Sequence, residues 1–136
     1  MATPTGRHNG GGKMAFARYW TVKRDVDPER LIEAGRKMGE LVRLSSVPLA
    51  GLDGTGEPTL NANDGTVWFN GVEGDDYEGF VWPPDLVAGR ASPDQEDSVF
   101  DWCKTRRLPY DAVVAACLAV AREVLGDSIR VEADEL

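Results

Sequence analysis

Bulky and β-branched side chains crowd the segment from Phe16 to Val22, where Phe16, Arg18, Trp20 and Val22 alternate with Ala17, Tyr19 and Thr21. That composition and its two-residue period predict a strand. Beyond it the period changes. Leu31, Ala34, Gly35, Met38, Leu41 and Val42 recur every three or four residues, with Arg30, Glu33, Arg36, Lys37, Glu40 and Arg43 between them. This predicts a surface helix that lays one apolar stripe on a sheet. Asp27-Pro28 marks its start, because an Asp there accepts from an orphan N–H of the first turn and proline has no donor to lose.

The centre of the chain is more broken. Ser45 to Leu49 predicts a short strand that Pro48 confines to an edge or a bend. Gly51 to Gly65, rich in Gly, Asp, Asn and Thr, predicts a long loop or irregular hairpin ending in the turn Asn63-Asp64-Gly65. Thr66 to Asn70 and Glu78 to Trp82 predict a β-hairpin with a long acidic loop, ended by Pro83-Pro84. After a loop with a turn at Ser92-Pro93-Asp94, the acidic Asp94, Glu96 and Asp97 suit the first turn of a helix, and a short one is expected from about Pro93 to Thr105. Pro109 opens the clearest helix, with Tyr110, Val113, Val114, Cys117, Leu118, Ala121, Val124 and Leu125 in helical spacing, and Gly126 stops it. Ile129 and Val131 alternate with Arg130 and Glu132 in a last strand. The order β-α-β-β-β-α-α-β predicts an α+β fold, a small antiparallel or mixed sheet with helices packed on it.

A chain of 136 residues has apolar surface for one core rather than two. The expected division is a flexible tail over 1–12, where four glycines and no bulky apolar residue follow Met1, and a single α+β domain over 13–136. No basic start leads into an apolar run, so a secretory signal is not expected and the cytoplasm is the expected compartment. The longest uncharged apolar stretch, Ala112 to Ala121, is about half of the ~20 residues that cross a bilayer. Cys103 and Cys117 have no CxxC spacing and read as two buried thiols.

Charge is segregated within a net −8. Residues 1–44 carry nine basic and five acidic side chains, residues 45–103 twelve acidic and only Arg90, and the remainder is nearly balanced. A face for duplex nucleic acid needs clustered Lys and Arg to displace phosphate counterions, so the distribution argues against that partner.

The segment Phe100-Asp101-Trp102-Cys103-Lys104-Thr105-Arg106-Arg107-Leu108-Pro109-Tyr110-Asp111, with the apolar helix and Leu125-Gly126-Asp127 after it, resembles a C-terminal pattern in an uncharacterised small-protein family of actinobacteria and their phages. Phe69-Asn70-Gly71 and Glu78-Gly79-Phe80 look like the central hairpin of the same group. Together they cover roughly half the chain. The resemblance implies a shared fold and a bacterial or phage origin, and carries no chemistry across. Leu108 stands where the pattern has a second basic residue.

His8, the one histidine, lies in the expected tail, which excludes a histidine triad or histidine-ligated metal within the fold. Glu73, Asp75, Asp76 and Glu78 are candidates for contact with a basic partner or, as clustered oxygen donors, a divalent metal; a solvated loop explains the same charges. Lys104, Arg106 and Arg107 precede the start of the last helix, where free N–H groups favour an anion. With Tyr110 stacking on a base they are candidates for a phosphate or nucleotide pocket, against the alternative of surface charges pairing with the acidic middle. Asp111 reads as a first-turn carboxylate. The glycine-rich Gly51 to Gly56 lacks the Lys-Ser/Thr ending of a phosphate-cradling loop.

With no catalytic set in view and no cofactor called for, the leading expectation is a non-enzymatic binding protein that meets a protein partner through an acidic loop surface. A phosphorylated-ligand or nucleotide-binding protein, or a metal-dependent hydrolase, with its pocket at Lys104, Arg106, Arg107 and Tyr110 is the second expectation. A structural virion or assembly component is the third.

Overall fold

A computed structural model describes residues 15–135; the expected tail and His8 lie outside them. The first strand, β1 (Ala17–Lys23), is followed by the first helix, α1 (Pro28–Arg43). Asp27 caps α1 as its sequence predicts, its side chain accepting from the amide of Glu29 at 3.0 Å. Leu31, Ala34, Met38 and Val42 of the stripe are buried. Strands β2 (Leu49–Ala50), β3 (Thr59–Asn61), β4 (Thr66–Gly71) and β5 (Phe80–Trp82) come next, then β6 (Ala91–Ser92) and β7 (Gln95–Lys104). The second helix, α2 (Asp111–Leu125), ends at Gly126 in the left-handed region (φ 56°), and β8 (Ile129–Ala133) closes the fold.

All strand pairs are antiparallel, in two sheets. The larger has the order β6-β7-β1-β8. Trp20 stands opposite Asp101 and Val131, and Val22 opposite Val99 and Ile129, so alternate residues of three strands share the inner face. Taken alone, β1-α1-β6-β7-α2-β8 in this strand order is the split β-α-β arrangement of ferredoxin-like folds. The strands β2 to β5 are inserted between α1 and β6, with β4 paired to β2, β3 and β5. One core joins the parts: Trp20, Val22, Met38, Phe69, Phe80, Trp82, Val114 and Leu118 belong to a single buried cluster. The expected α+β class and the β4–β5 hairpin are therefore present.

The segment from Pro93 to Thr105 is a strand, not the expected helix. Ser92-Pro93-Asp94 does turn the chain, but into the hairpin β6–β7. Val99 and Cys103 point to the core while Phe100 and Trp102 lie on the other face, a two-residue period that the acidic Asp94, Glu96 and Asp97 mask. Those carboxylates flank the hairpin tip, where like charges stay in water, and β7 then pairs with β1 over seven residues. The element order is thus one strand, one α-helix, six strands, one α-helix, a 3-10 turn over Gly126–Ser128 and one strand.

Close approach explains one turn. A Cβ on Gly35 of α1 would lie 1.9 Å from the carbonyl oxygen of Gly65, and Gly65 itself has φ 76°. The turn Asn63-Asp64-Gly65 can press against the helix only because both residues lack side chains.

Candidate functional site

Two loops meet at the end of β4. Asn70, 1% exposed, lies between them and uses both ends of its amide. Its Nδ2 donates to the carbonyls of Leu52 (2.9 Å) and Tyr77 (3.0 Å), while its Oδ1 accepts from the amides of Gly71 (2.7 Å) and Tyr77 (3.2 Å). The Glu73 amide adds a bond to the Gly54 carbonyl at 2.9 Å. Gly54, at φ 86°, leaves room where a Cβ would meet the Asp76 carboxylate, and Gly79 does the same beside Leu52. Loops 51–58 and 72–79 are consequently one surface.

Leu52 and Tyr77, 40% and 47% exposed, stand on that surface. Asp53, Glu57, Glu73, Asp75 and Glu78 on the same two loops are exposed, and Asp76 is half-buried. The hydroxyl and amide of Thr55 hold the Asp53 carboxyl below the usual carboxylate range. Among the described residues no three His, Cys, Asp or Glu side chains gather as a metal-binding group, so Glu73, Asp75, Asp76 and Glu78 share a surface without forming a chelate.

Glu78 has a second task. Its Oε1 accepts from the Lys104 amide at 2.7 Å and its amide donates to the Lys104 carbonyl at 3.3 Å. The Tyr110 hydroxyl donates to the Glu78 carbonyl at 2.5 Å. The acidic loop is thereby bonded to the segment that carries Lys104, Arg106 and Arg107. Tyr110 itself is fully enclosed and donates within the fold, so it has no face on which a base would stack. Arg106 lies over the Tyr77 ring at 4.9 Å and Arg107 over Phe16 at 4.8 Å. Both arginines have a left-handed backbone, φ 57° and 61°. The basic trio is spread along a turn, and its two arginines pack on different rings.

Below that turn is a partly buried ion pair that sequence reasoning did not find. Arg18 donates to both oxygens of Asp111, Nε at 2.8 Å and Nη2 at 2.9 Å, and the Thr105 hydroxyl donates to Oδ1 at 2.6 Å. Burial opposes the charge on Asp111, but the bonds from Arg18 and Thr105 outweigh it and hold the carboxyl below its ordinary value. Asp111 sits in the first turn of α2, as expected, and anchors that helix to β1. Burial, with Glu78, Asp101 and Asp111 nearby, pushes the Cys103 thiol far above its ordinary range. Burial likewise pushes Cys117 up to about 12. Burial thus disfavours the thiolate of both cysteines at neutral pH.

The chain matches no family model, no curated protein and no solved structure. No helix among the described residues is long and apolar enough to cross a membrane.

Proposed function

We propose that this chain is a non-enzymatic binding protein, of bacterial or phage origin and acting in the cytoplasm, that engages a basic protein partner through the joined loops 51–58 and 72–79. One observation carries the reading: Leu52 and Tyr77 stand exposed on two loops tied together by Asn70, with carboxylates around them. An apolar or tyrosine anchor with charge at the rim is how protein interfaces are commonly built. The carboxylates steer a basic partner and reject an acidic one. Because the loops are already braced, little ordering remains to oppose association.

The nucleotide reading has less support, since Tyr110 is enclosed and the Lys104 amide is taken by Glu78. The test is affinity capture from an actinobacterial lysate at low and high salt, with the wild type beside Tyr77→Ala, Leu52→Ser and Asp75→Lys. The expected result is a partner held by the wild type at low salt, released by salt and lost in each variant. Equal capture by all four proteins would overturn the proposal.

A further inference from the structure

A separate groove of about 410 Å³ runs between α1 and β3. Arg36, Lys37, Gly39, Glu40 and Arg43 of α1 form one side, and Leu60 contributes apolar wall from β3. We propose that this groove binds a small organic anion, one that joins a phosphate or carboxylate to an apolar group.

Gly39 is the first indication. It sits in the middle of a helix, where glycine is the poorest choice after proline. Its neighbour Gly35 is required by the approach of Gly65, but a Cβ on Gly39 would have no atom within 4 Å. Gly39 is nonetheless buried. The open space above it is therefore the floor of the groove, and a side chain there would occupy it. The fold does not need this glycine; an occupant of the groove does.

Charge is the second indication. Three cations and one carboxylate line the groove in a chain of net charge −8. Arg36 is held against the wall by a 2.7 Å bond from Nε to the carbonyl of Ala62. That bond fixes the guanidinium in place and leaves its terminal amino groups to a ligand. Arg43 pairs with Glu40, and Lys37 stands 3.7 Å from Glu33, both in exposed one-turn pairs. Pairs of that kind are weak enough for an entering anion to redirect. The volume falls within the range of small-molecule sites, and Leu60 and Ala62 supply the wall for an apolar group.

Calorimetric titration of the full chain with phenyl phosphate, 3-phenylpropionate, inorganic phosphate and benzyl alcohol tests the proposal, with amide chemical shifts of Gly39 to locate the site. At least one of the two aromatic anions is expected to bind with a shift at Gly39, inorganic phosphate more weakly and benzyl alcohol not at all. Arg36→Gln should weaken binding about tenfold, as expected for loss of a charge-assisted hydrogen bond. Gly39→Leu should abolish it while melting no lower than the wild type. The proposal is overturned if neither aromatic anion binds at millimolar concentration, if benzyl alcohol binds as well as they do, or if Arg36→Gln and a folded Gly39→Leu both bind as the wild type does.

Discussion

Asn70 makes four hydrogen bonds with one side chain, and no other residue type offers two donors and two acceptors at that length. Asn70→Ala would leave the carbonyls of Leu52 and Tyr77 and the amides of Gly71 and Tyr77 to find other partners in a nearly closed space. A loss of about 2–3 kcal/mol is expected on denaturant unfolding. Amide hydrogen exchange should accelerate first in residues 71–77, which separates loosening of the loops from a general weakening of the core. Asp111 is the other residue on which much depends. Removing one partner of a partly buried ion pair leaves the other with fewer partners, so Asp111→Asn should cost about 2 kcal/mol at neutral pH, less than a fully buried pair would. Its pH dependence has a definite sign. A carboxyl held below its ordinary value of 3.8 contributes stability that is complete above that value and is lost as the pH falls through the lower, folded value. The gap between wild type and variant should therefore narrow in acid, which paired unfolding curves from pH 7 to pH 2.5 would reveal.

At the scale of elements, α1 poses a test that needs only two methyl groups. Gly39→Ala adds a better helix former where nothing obstructs it, and should raise stability by up to ~1 kcal/mol. Gly35→Ala drives the same methyl into the Gly65 carbonyl and should lower stability despite the equal gain in helix propensity. Urea midpoints that move in opposite directions would confirm the helix–turn contact; midpoints that both rise would refute it. Strand β7 shows a different economy. The amides of Phe100, Trp102 and Lys104 do not bond to β1, and each has another acceptor: the Arg90 carbonyl, the Asp101 carboxylate and the Glu78 carboxylate. Burial holds the Asp101 carboxyl above its ordinary value, opposed by the bond from the Trp102 amide and by Arg90. Beyond the short β6, that side of β7 has its donors occupied in this way and offers little to a stray strand.

Both long helices were legible because their apolar residues recur at the helical period and their ends carry Asp27-Pro28 and Gly126. The hairpin β4–β5 was legible for the same kind of reason. Strand β7 was not, because Pro93 and the acids after it imitate a helix start. Its true period emerges only in register with β1, some eighty residues away. Of the site, the exposed acids were legible as charge, but their union with Leu52 was not. That union rests on Asn70, and in sequence Asn70 is merely one polar residue at the end of an apolar run. Tyr110 was read both in the apolar stripe of the last helix and as a residue on which a base could stack, because an aromatic residue beside basic ones suits a core and a ligand site equally; its burial separates the two.

The position of β1 in the larger sheet has a consequence for the order of events during synthesis. It is the first described element to leave the ribosome, yet both its neighbours, β7 and β8, lie in the last third of the chain. Until they arrive, Tyr19, Trp20 and Val22 have no ladder to join, and pairings so distant in sequence form slowly. A nascent chain halted near residue 94 should accordingly be bound by chaperones and open to protease. A sharp rise in protease resistance is expected only once residues 95–133 have cleared the exit tunnel, a step that arrested chains of graded length would locate.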